Sequence, residues 1–572
     1  MCGIVGFVNK KKEQEGNSKL IDSMIDSIIH RGGDARGCFV DKNVAIGHTR
    51  LAILDLSTKA NQPLECLNYT LSYNGEIYNH DFLREKKLSK VAITSNSDTA
   101  TLFELLKRYS VNEVLENIQG MYSFAFYDSK RSEIILVVDK FGIKPLYYID
   151  TPNWFAWSSE VKAFKELPDF QFQVNENRLQ EYLEYRYVLG EGTLFRNIKR
   201  VMPGEYLIYN VKKEKFITKT YFSITKSNSL PVNLEEVLRD SVHDHLMGDA
   251  KVGVQLSGGI DSSLIGLFAQ EMSKNKIHTF SVGLKDNNWN EFKYSDFIAE
   301  KIQSTHHKIV FEPKDFMDNL RAVIYHLDEP LVHPNTVAMY LLAKKARSHV
   351  KVLLTGEGAD EVFCGYHKYT SLIEGQDLKQ FISIIKPEQA KKLLKKISPE
   401  SVERDKINDS LNGDVINRMS MLDLRAYLPH VLLRQDKAGM MANIENRVPF
   451  LYEPVVQYGY NLNSDCKVGE QGTKTPLKEI ALKYFPKDFV LRKKCGFGLP
   501  ISDWLKDDNV MKPLLTKLLE SKFIRSYFQI SEIKVLIKEH LDTTNKDNST
   551  ILFALICIDI WEDIFIKGNL PI

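Results

Sequence analysis

Several things are missing from this chain of 572 residues. Charge of one sign is missing: 76 Lys and Arg against 74 Asp and Glu leave a net charge of +2, which argues against a dedicated nucleic-acid binder. A membrane-length apolar run is missing as well. The longest apolar-rich stretch, Ile551 to Ile566, is interrupted by Asp559, Glu562 and Asp563, so no membrane partner is expected. The start, Met1-Cys2-Gly3-Ile4-Val5-Gly6-Phe7, runs directly into Lys10-Lys11-Lys12 with no leader-like apolar region, so a cytoplasmic protein is expected. The 7 cysteines contain no CxxC pair, which excludes a zinc knuckle and gives no sign of a disulfide framework. No Walker A loop, internal repeat or low-complexity tract occurs.

What is present is ordinary globular material, 43% hydrophobic and 26% charged, enough for about two to four domains. The texture changes once, near residues 210–235. Before it, short β-like runs (Val44-Ala45-Ile46, Tyr69–Tyr73, Tyr122–Tyr127, Ile134–Val138) alternate with turns, and helices are expected near Ser18–Ile29 and Asp98–Tyr109. The Lys-, Thr- and Ser-rich segment Lys212–Leu230 reads as the connection. After it strands and helices alternate: Val252–Leu256, a helix from about Asp261, then His278–Leu284, Lys308–Phe311 and Val350–Leu354. That pattern predicts a parallel sheet whose ligands gather at the carboxyl ends of its strands. From about Arg418 the chain reads as mainly helical.

Two local patterns carry chemistry. Cys2 would join a thiol and a free α-amine on one residue if Met1 is removed, which is one way of activating a nucleophile; by itself it reads more readily as a small buried thiol. Ser257-Gly258-Gly259-Ile260-Asp261-Ser262-Ser263 sits between a predicted strand and a predicted helix. Its backbone N–H groups and hydroxyls suit a phosphate, although a plain strand–helix turn has the same composition.

The wider context of each pattern resembles a known family. Cys2-Gly3-Ile4-Val5-Gly6, His30-Arg31-Gly32, Arg50-Leu51-Ala52-Ile53, Asn74-Gly75-Glu76-Ile77-Tyr78-Asn79 and Ser97-Asp98 together resemble the class II glutamine amidotransferases. The resemblance implies a Cys2 thiolate that attacks the glutamine side-chain amide, with Asn74 and the Gly75 N–H stabilising the oxyanion. Arg50 would hold the substrate α-carboxylate, Glu76 and Asp98 its α-ammonium group, and Leu51, Ala52, Ile53 and Leu54 would complete the pocket. The second pattern resembles the SGGxDS loop of the ATP pyrophosphatases, and Thr355-Gly356-Glu357-Gly358-Ala359-Asp360-Glu361 supports it. Leu256, Ser257, Gly258, Gly259, Asp261, Ser262, Ser263, Val282, Thr355 and Gly356 would bind ATP. Asp261 and Asp360 would hold Mg2+, because two carboxylates facing a triphosphate without metal would repel it.

Both halves in this order resemble the glutamine-dependent asparagine synthetases over nearly the whole chain. Asp139–Tyr147, Ser159–Ala163, Glu445–Leu451 and Gly496-Phe497-Gly498-Leu499-Pro500 add to the match, and Lys474 occupies the place of the family's catalytic lysine. The implied fold is an α+β N-terminal-nucleophile sandwich (α/β/β/α) over residues 2–213. An α/β parallel-sheet ATP-pyrophosphatase domain with a largely helical C-terminal part would follow over 230–572. The implied reaction is ATP-dependent amidation of aspartate with ammonia from glutamine, through an acyl-adenylate, with Glu357 accepting a proton from the attacking ammonia and Lys474 neutralising transition-state charge. A homodimer is also implied. The runner-up acceptor is another carboxylate such as a sugar uronic acid. Intact Cys2, Asp261, Asp360 and Lys474 argue against a glutaminase with a silent second half or a noncatalytic relative. Gly33, Val138, Cys364 and Tyr452 depart from the family's usual residues.

Overall fold

The structure, a computed structural model, describes residues 2–571 apart from 13–14, 226–232, 287–288, 332, 377, 379–380, 382, 398–412, 470–471, 494–497 and 543–545. Twelve strands build the first half: β1 Gly3–Asn9, β2 Ala35–Asp41, β3 Val44–Arg50, β4 Leu64–Cys66, β5 Tyr69–Ile77, β6 Gly120–Asp128, β7 Glu133–Val138, β8 Tyr147–Asp150, β9 Trp154–Ser158, β10 Lys199–Arg200, β11 Glu205–Asn210 and β12 Lys215–Thr220. They form two six-stranded antiparallel sheets, ordered β10-β8-β9-β1-β3-β2 and β12-β11-β7-β6-β5-β4.

The alternation of side chains along β1 shows why these sheets stack. Ile4 and Val8 join Ile46, Ala125, Leu136, Trp157 and Leu207 in a core between the sheets. Val5 and Phe7, on the other face, join Ile21, Met24 and Ile25 of the helix Asn17–Ser27. On the outer face of the second sheet, Leu71, Tyr73 and Phe124 pack with Leu102, Phe103 and Leu105 of the helix Asp98–Leu106. The result is a helix–sheet–sheet–helix layering, produced by a period of two in each strand and one apolar stripe on each helix. The segment read as a connection does more than connect. Its Lys215–Thr220 portion is β12, a mostly exposed edge strand whose Lys and Thr side chains suit an unprotected edge.

The second half is built on a five-stranded parallel sheet, with β13 Val252–Gln255, β14 His278–Leu284, β15 Thr305–Phe311, β16 Val352–Leu354 and β17 Glu445–Arg447 in the order β15-β14-β13-β16-β17. The chain moves outward from β13 through β14 to β15, then returns to place β16 on the other side of β13. The sheet therefore switches direction between β13 and β16, where open α/β sheets bind ligands. The C-terminal part is mainly helical as expected, with β17 the short strand within it. Three residues with no apolar alternation give no strand signal; pairing with β16 creates this one. No helix among the described residues is long and apolar enough to cross a membrane.

Candidate active sites

The first site lies where β1, β3 and β5 end. Cys2 is buried and its backbone N donates to Asn74 Oδ1 at 2.9 Å. The other end of that amide, Asn74 Nδ2, is buried with no hydrogen-bond partner. Such a donor is costly unless something accepts from it, and an oxyanion beside Cys2 would. A Cβ on Gly75 would collide with the Met121 carbonyl oxygen and the Tyr122 backbone, so only glycine keeps its N–H in place. Burial pushes the Cys2 thiol up from its ordinary value, so the thiol needs a base before it can act as a nucleophile.

A cavity opens beside Cys2, lined by Arg50, Leu51, Ile53, Leu54, Gly75, Glu76 and Asp98 among others. Ala52 is not part of the lining; its N–H donates to Asp34 Oδ2 at 2.8 Å and its carbonyl accepts from Lys351 Nζ at 3.1 Å. Arg50 is buried and its guanidinium is steadied by the Ser57 carbonyl and Asn61 Oδ1, both at 2.8 Å, and by the Asp55 carbonyl. No carboxylate among the described residues pairs with it. Across the cavity, Asp98 accepts from Tyr73 Oη at 2.7 Å and from the Ile77 and Thr99 N–H groups at 2.9 and 2.8 Å. Burial raises both the Glu76 and Asp98 carboxyls, and their mutual repulsion raises Glu76 further. Two buried acids facing one cavity, with an unpaired arginine opposite, suit a ligand carrying both an ammonium and a carboxylate group.

One wall of this cavity was not legible in the sequence. Glu445, on β17 of the second half, lines it. Arg447, fully buried two residues on, donates to Glu445 Oε1 at 2.6 Å, Glu76 Oε1 at 3.2 Å, and the His245 and Met247 carbonyls at 2.8 and 2.5 Å. Arg31, from His30-Arg31-Gly32, makes a second buried tie between halves: it donates to the Cys2 carbonyl at 3.1 Å, Glu160 at 2.9 Å and Asp436 at 2.9 Å. Glu445 lies hundreds of residues from the Cys2 and Glu76 side of the cavity it lines, and Asp436 from Arg31, so no local spacing reveals them.

The second site is at the sheet's switch point. The turn after β13 runs through Leu256 and Ser257 to the helix Ile260–Met272. Gly258 has φ +81°, and a Cβ there would press on Tyr294 and the Ser295 N–H. Hydroxyls fold inward across the turn: Ser257 N–H donates to Ser262 Oγ at 3.2 Å, Gly259 N–H to Ser257 Oγ at 3.3 Å, and Ser263 Oγ to the Gly259 carbonyl at 2.8 Å. Leu256 is buried under the loop and Val282 lies on neighbouring β14. Across the sheet, Thr355 follows β16 with its hydroxyl buried and unpartnered, and a Cβ on Gly356 would lie 3.1 Å from Asp261 Cβ.

Lys474 reaches into this site from left-handed backbone, φ 57°, ahead of the helix Thr475–Ala481. Its Nζ lies 2.7 Å from Asp261 Oδ2 and 2.7 Å from Asp360 Oδ1. Both acids expected to hold magnesium thus converge on one cation, and Asp261 Oδ1 is buried with no partner. Two hard carboxylates side by side, one with an unpartnered oxygen, fit Mg2+. Gly365 was not singled out from sequence, yet a Cβ there would strike both Lys474 Cε and Asp360 Oδ1. Glu357 is also not solitary: its Oε1 accepts from Arg434 Nη2 at 3.0 Å.

The departures from the family pattern have local explanations. A Cβ at Gly33 would meet nothing nearer than Asn443 Nδ2 at 3.6 Å, so crowding does not require glycine there. Val138 is packed between the sheets. Tyr452 Oη donates to Gln119 Oε1 at 3.1 Å, another tie between halves. Cys364 is buried, which pushes its thiol up to about 12, so it packs rather than reacts. Residues 496–497 of the Gly496–Pro500 motif lie outside the described residues.

The comparisons with known proteins agree with this two-site architecture. The family profile described as "Asparagine synthase" matches residues 233–563, and that described as "Glutamine amidotransferase domain" matches residues 1–222. The chain is similar to asparagine synthetase [glutamine-hydrolyzing] 1 of Bacillus subtilis, with 31% identity over 99% of this chain and 97% of the relative. It is also similar to asparagine synthetase B of Escherichia coli, with 27% identity over 89% of this chain and 84% of the relative. A putative asparagine synthetase of Methanocaldococcus jannaschii shares 30% identity over 64% of this chain and 76% of the relative. This chain, with a thiol beside an orphaned amide in one half and a carboxylate-flanked lysine at the sheet switch point of the other, belongs to the asparagine synthase family.

Proposed function

We propose that this protein converts aspartate to asparagine, using ammonia released from glutamine and the cleavage of ATP to AMP and pyrophosphate. The observation that carries the first half is Asn74, whose Oδ1 accepts from the Cys2 N–H while its Nδ2 remains buried and unpartnered. Once Met1 is removed, the Cys2 α-amine can take the thiol proton, overcoming the burial that opposes ionisation. The thiolate sulfur then bonds to the glutamine amide carbon. Asn74 Nδ2 and the Gly75 N–H receive the charge that forms on the amide oxygen, and the protonated α-amine supplies a proton to the departing ammonia. Water cleaves the thioester to give glutamate. Arg50 would hold the substrate carboxylate, and Glu76 with Asp98 its ammonium group.

In the second half, the aspartate β-carboxylate oxygen bonds to the α-phosphorus of ATP as pyrophosphate leaves. The Gly258–Ser263 turn would hold the phosphates through its N–H groups and the first turn of the helix. Asp261 and Asp360 would hold Mg2+, which when bound neutralises phosphate charge. Lys474, released from those carboxylates as the metal and phosphates bind, is in reach of the developing negative charge. Ammonia then attacks the acyl carbon and AMP leaves, with Glu357 as the proton acceptor. Its pairing with Arg434 fixes the carboxylate's position. The family resemblance supports a homodimer, which light scattering at a monomer mass would reject.

The test is to incubate protein lacking Met1 with MgATP, glutamine and aspartate, and to quantify asparagine, glutamate, AMP and pyrophosphate together. Equal amounts of asparagine, AMP and pyrophosphate are expected, and Cys2→Ala should match them only with ammonium chloride. Glutamate without pyrophosphate would refute aspartate as the acceptor.

A further inference from the structure

Histidines gather at the amino end of the parallel sheet. His278 opens β14, and the register that sets it beside Thr305 sets Phe280 beside His307 on β15. His278, Phe280 and His307 therefore share one face of the sheet. The helix Thr336–Ala346 packs on that face, where its Leu342, Ala343 and Ala346 join Phe280, Val350 and Leu353 in one buried cluster. The turn after this helix carries His349, whose N–H donates to the Ala346 carbonyl at 2.8 Å. The apolar layer thus ends in three partly exposed imidazoles, from β14, β15 and the turn before β16.

Their spacing is that of a ligand set. His278 Nδ1 and His307 Nε2 are 3.0 Å apart, and one ring nitrogen from each of the three lies within 4.8 Å of the other two. Nitrogens bound to one tetrahedral ion at about 2.0–2.1 Å stand about 3.3 Å apart, a difference that ring rotation spans. Stacking holds the rings near one another: the His307 ring centre lies 4.8 Å from Phe280 and 4.2 Å from His349. Burial, then the charges of His349 and Lys251, lower His278; burial, His349 and His278 bring His307 down to about 4. Both are therefore neutral at pH 7, the form of imidazole that binds metal.

The donor set also selects the ion. It contains no carboxylate, and Lys251 and Lys345 act on it as like charges, so only strong nitrogen ligation holds a cation there. Mg2+ seeks oxygen donors and gains little from imidazole, whereas Zn2+, Co2+, Ni2+ and Cu2+ favour it. The other three-ligand group among the described residues, His30, Glu160 and His326, is not comparable: Glu160 already accepts from Arg31 at 2.9 Å and from Lys162. We propose that His278, His307 and His349 bind one late first-row dication such as Zn2+, tying β14 and β15 to the turn before β16. His278 pairs with Gly253 near the start of β13, and the Ser257–Ser263 turn leaves the other end of that strand, so this ion is separate from the Mg2+ of the ATP chemistry.

The test titrates Zn2+ alone, without ATP or Mg2+, into the full-length protein and follows binding by calorimetry and by the unfolding midpoint. Wild type is compared with His278→Gln, His307→Gln and His349→Gln, and with His243→Gln as a control, since His243 is exposed on another helix. Each of the first three should weaken the tightest site at least about tenfold, because even partners outside the metal's own ligands are worth about 10–100-fold. His243→Gln should leave it unchanged. Zn2+ should raise the midpoint of wild type and of His243→Gln, and each lost ligand should shrink that rise. Glutaminase turnover measured without Zn2+ monitors folding. X-ray absorption of wild type carrying one equivalent of Zn2+ needs no variant and should show three imidazole nitrogens at about 2.0–2.1 Å. Equal Zn2+ affinity in wild type and all three variants would overturn the proposal. So would a zinc spectrum dominated by sulfur, which would place the ion on cysteine instead.

Discussion

Removing Arg447 should reveal how strongly the two halves depend on one buried cation. Burial alone would raise the Glu445 carboxyl; the positive amino terminus of the chain, then Arg447 and Lys144, overcome it and hold the group down at about 2, against an ordinary 4.5. That difference of 2.5 units corresponds to about 3 kcal/mol, at 1.36 kcal/mol per unit. The sign follows from the depressed carboxyl: this stabilisation is present above pH 4.5 and is lost as pH falls toward 2. Arg447→Met removes one of the three cations, the one that also hydrogen-bonds Glu445, and leaves Glu76 facing methionine as well, so a loss of about 3 kcal/mol is expected at pH 7, the scale of a broken buried pair. The amino terminus and Lys144 retain a share, and protonation of the stranded acids makes the loss smaller at low pH. Denaturant midpoints would be measured for wild type, Arg447→Met, Glu445→Gln and the double variant. The double variant should be more stable than Arg447→Met alone, because the uncompensated Glu445 charge is gone. A loss below about 1 kcal/mol, or a double variant whose loss is the sum of the two singles, would refute the reasoning.

Asn74→Ala should lower glutaminase kcat by about a hundredfold or more with little change in KM, since the lost donor acts mainly on the developing oxyanion. A pure KM effect would reassign Asn74 to substrate binding. Because burial raises the Glu76 and Asp98 carboxyls, KM for glutamine should fall as pH rises above the ordinary carboxylate range and these acids ionise; Glu76→Gln should flatten that profile, and a profile unaffected by the substitution would count against an ammonium site. Gly365→Ala forces a methyl group against Lys474 and Asp360, so ATP-dependent pyrophosphate release should disappear while glutaminase turnover persists. Lys474→Met should leave Asp261 and Asp360 free of their shared cation: magnesium affinity, read by titration without ATP, should rise even as pyrophosphate release falls by about a hundredfold.

Both sites were legible in outline because their residues sit close together in the chain. Cys2, the Asn74-Gly75-Glu76 run and the Ser257–Ser263 turn each carry their spacing within one strand or one strand–helix junction. The strands were legible for the same reason: the alternation in Tyr69–Tyr73 and the apolar β-branched run Ile134–Val138 are local. β17 was not, since Glu445-Asn446-Arg447 becomes a strand only by lying beside β16. Nor was the mutual capture of Lys474, Asp261 and Asp360, which spans more than two hundred residues.

The sequence by itself supplied the groups to which the proposed chemistry is assigned: a thiol at position 2, the Asn74 amide, a glycine-rich turn for phosphate, and the acids and lysine around that turn. Tertiary structure decided what surrounds them. Glu445, held by Arg447, closes the wall of a cavity that belongs to the other half, and Lys474 lies between two carboxylates rather than apart from them. The physical reason is the range of the forces involved. Backbone propensity and side-chain periodicity act over a few residues. Burial and ion pairing act between whichever side chains the packed sheets bring together, and the linear order of residues carries no record of that distance.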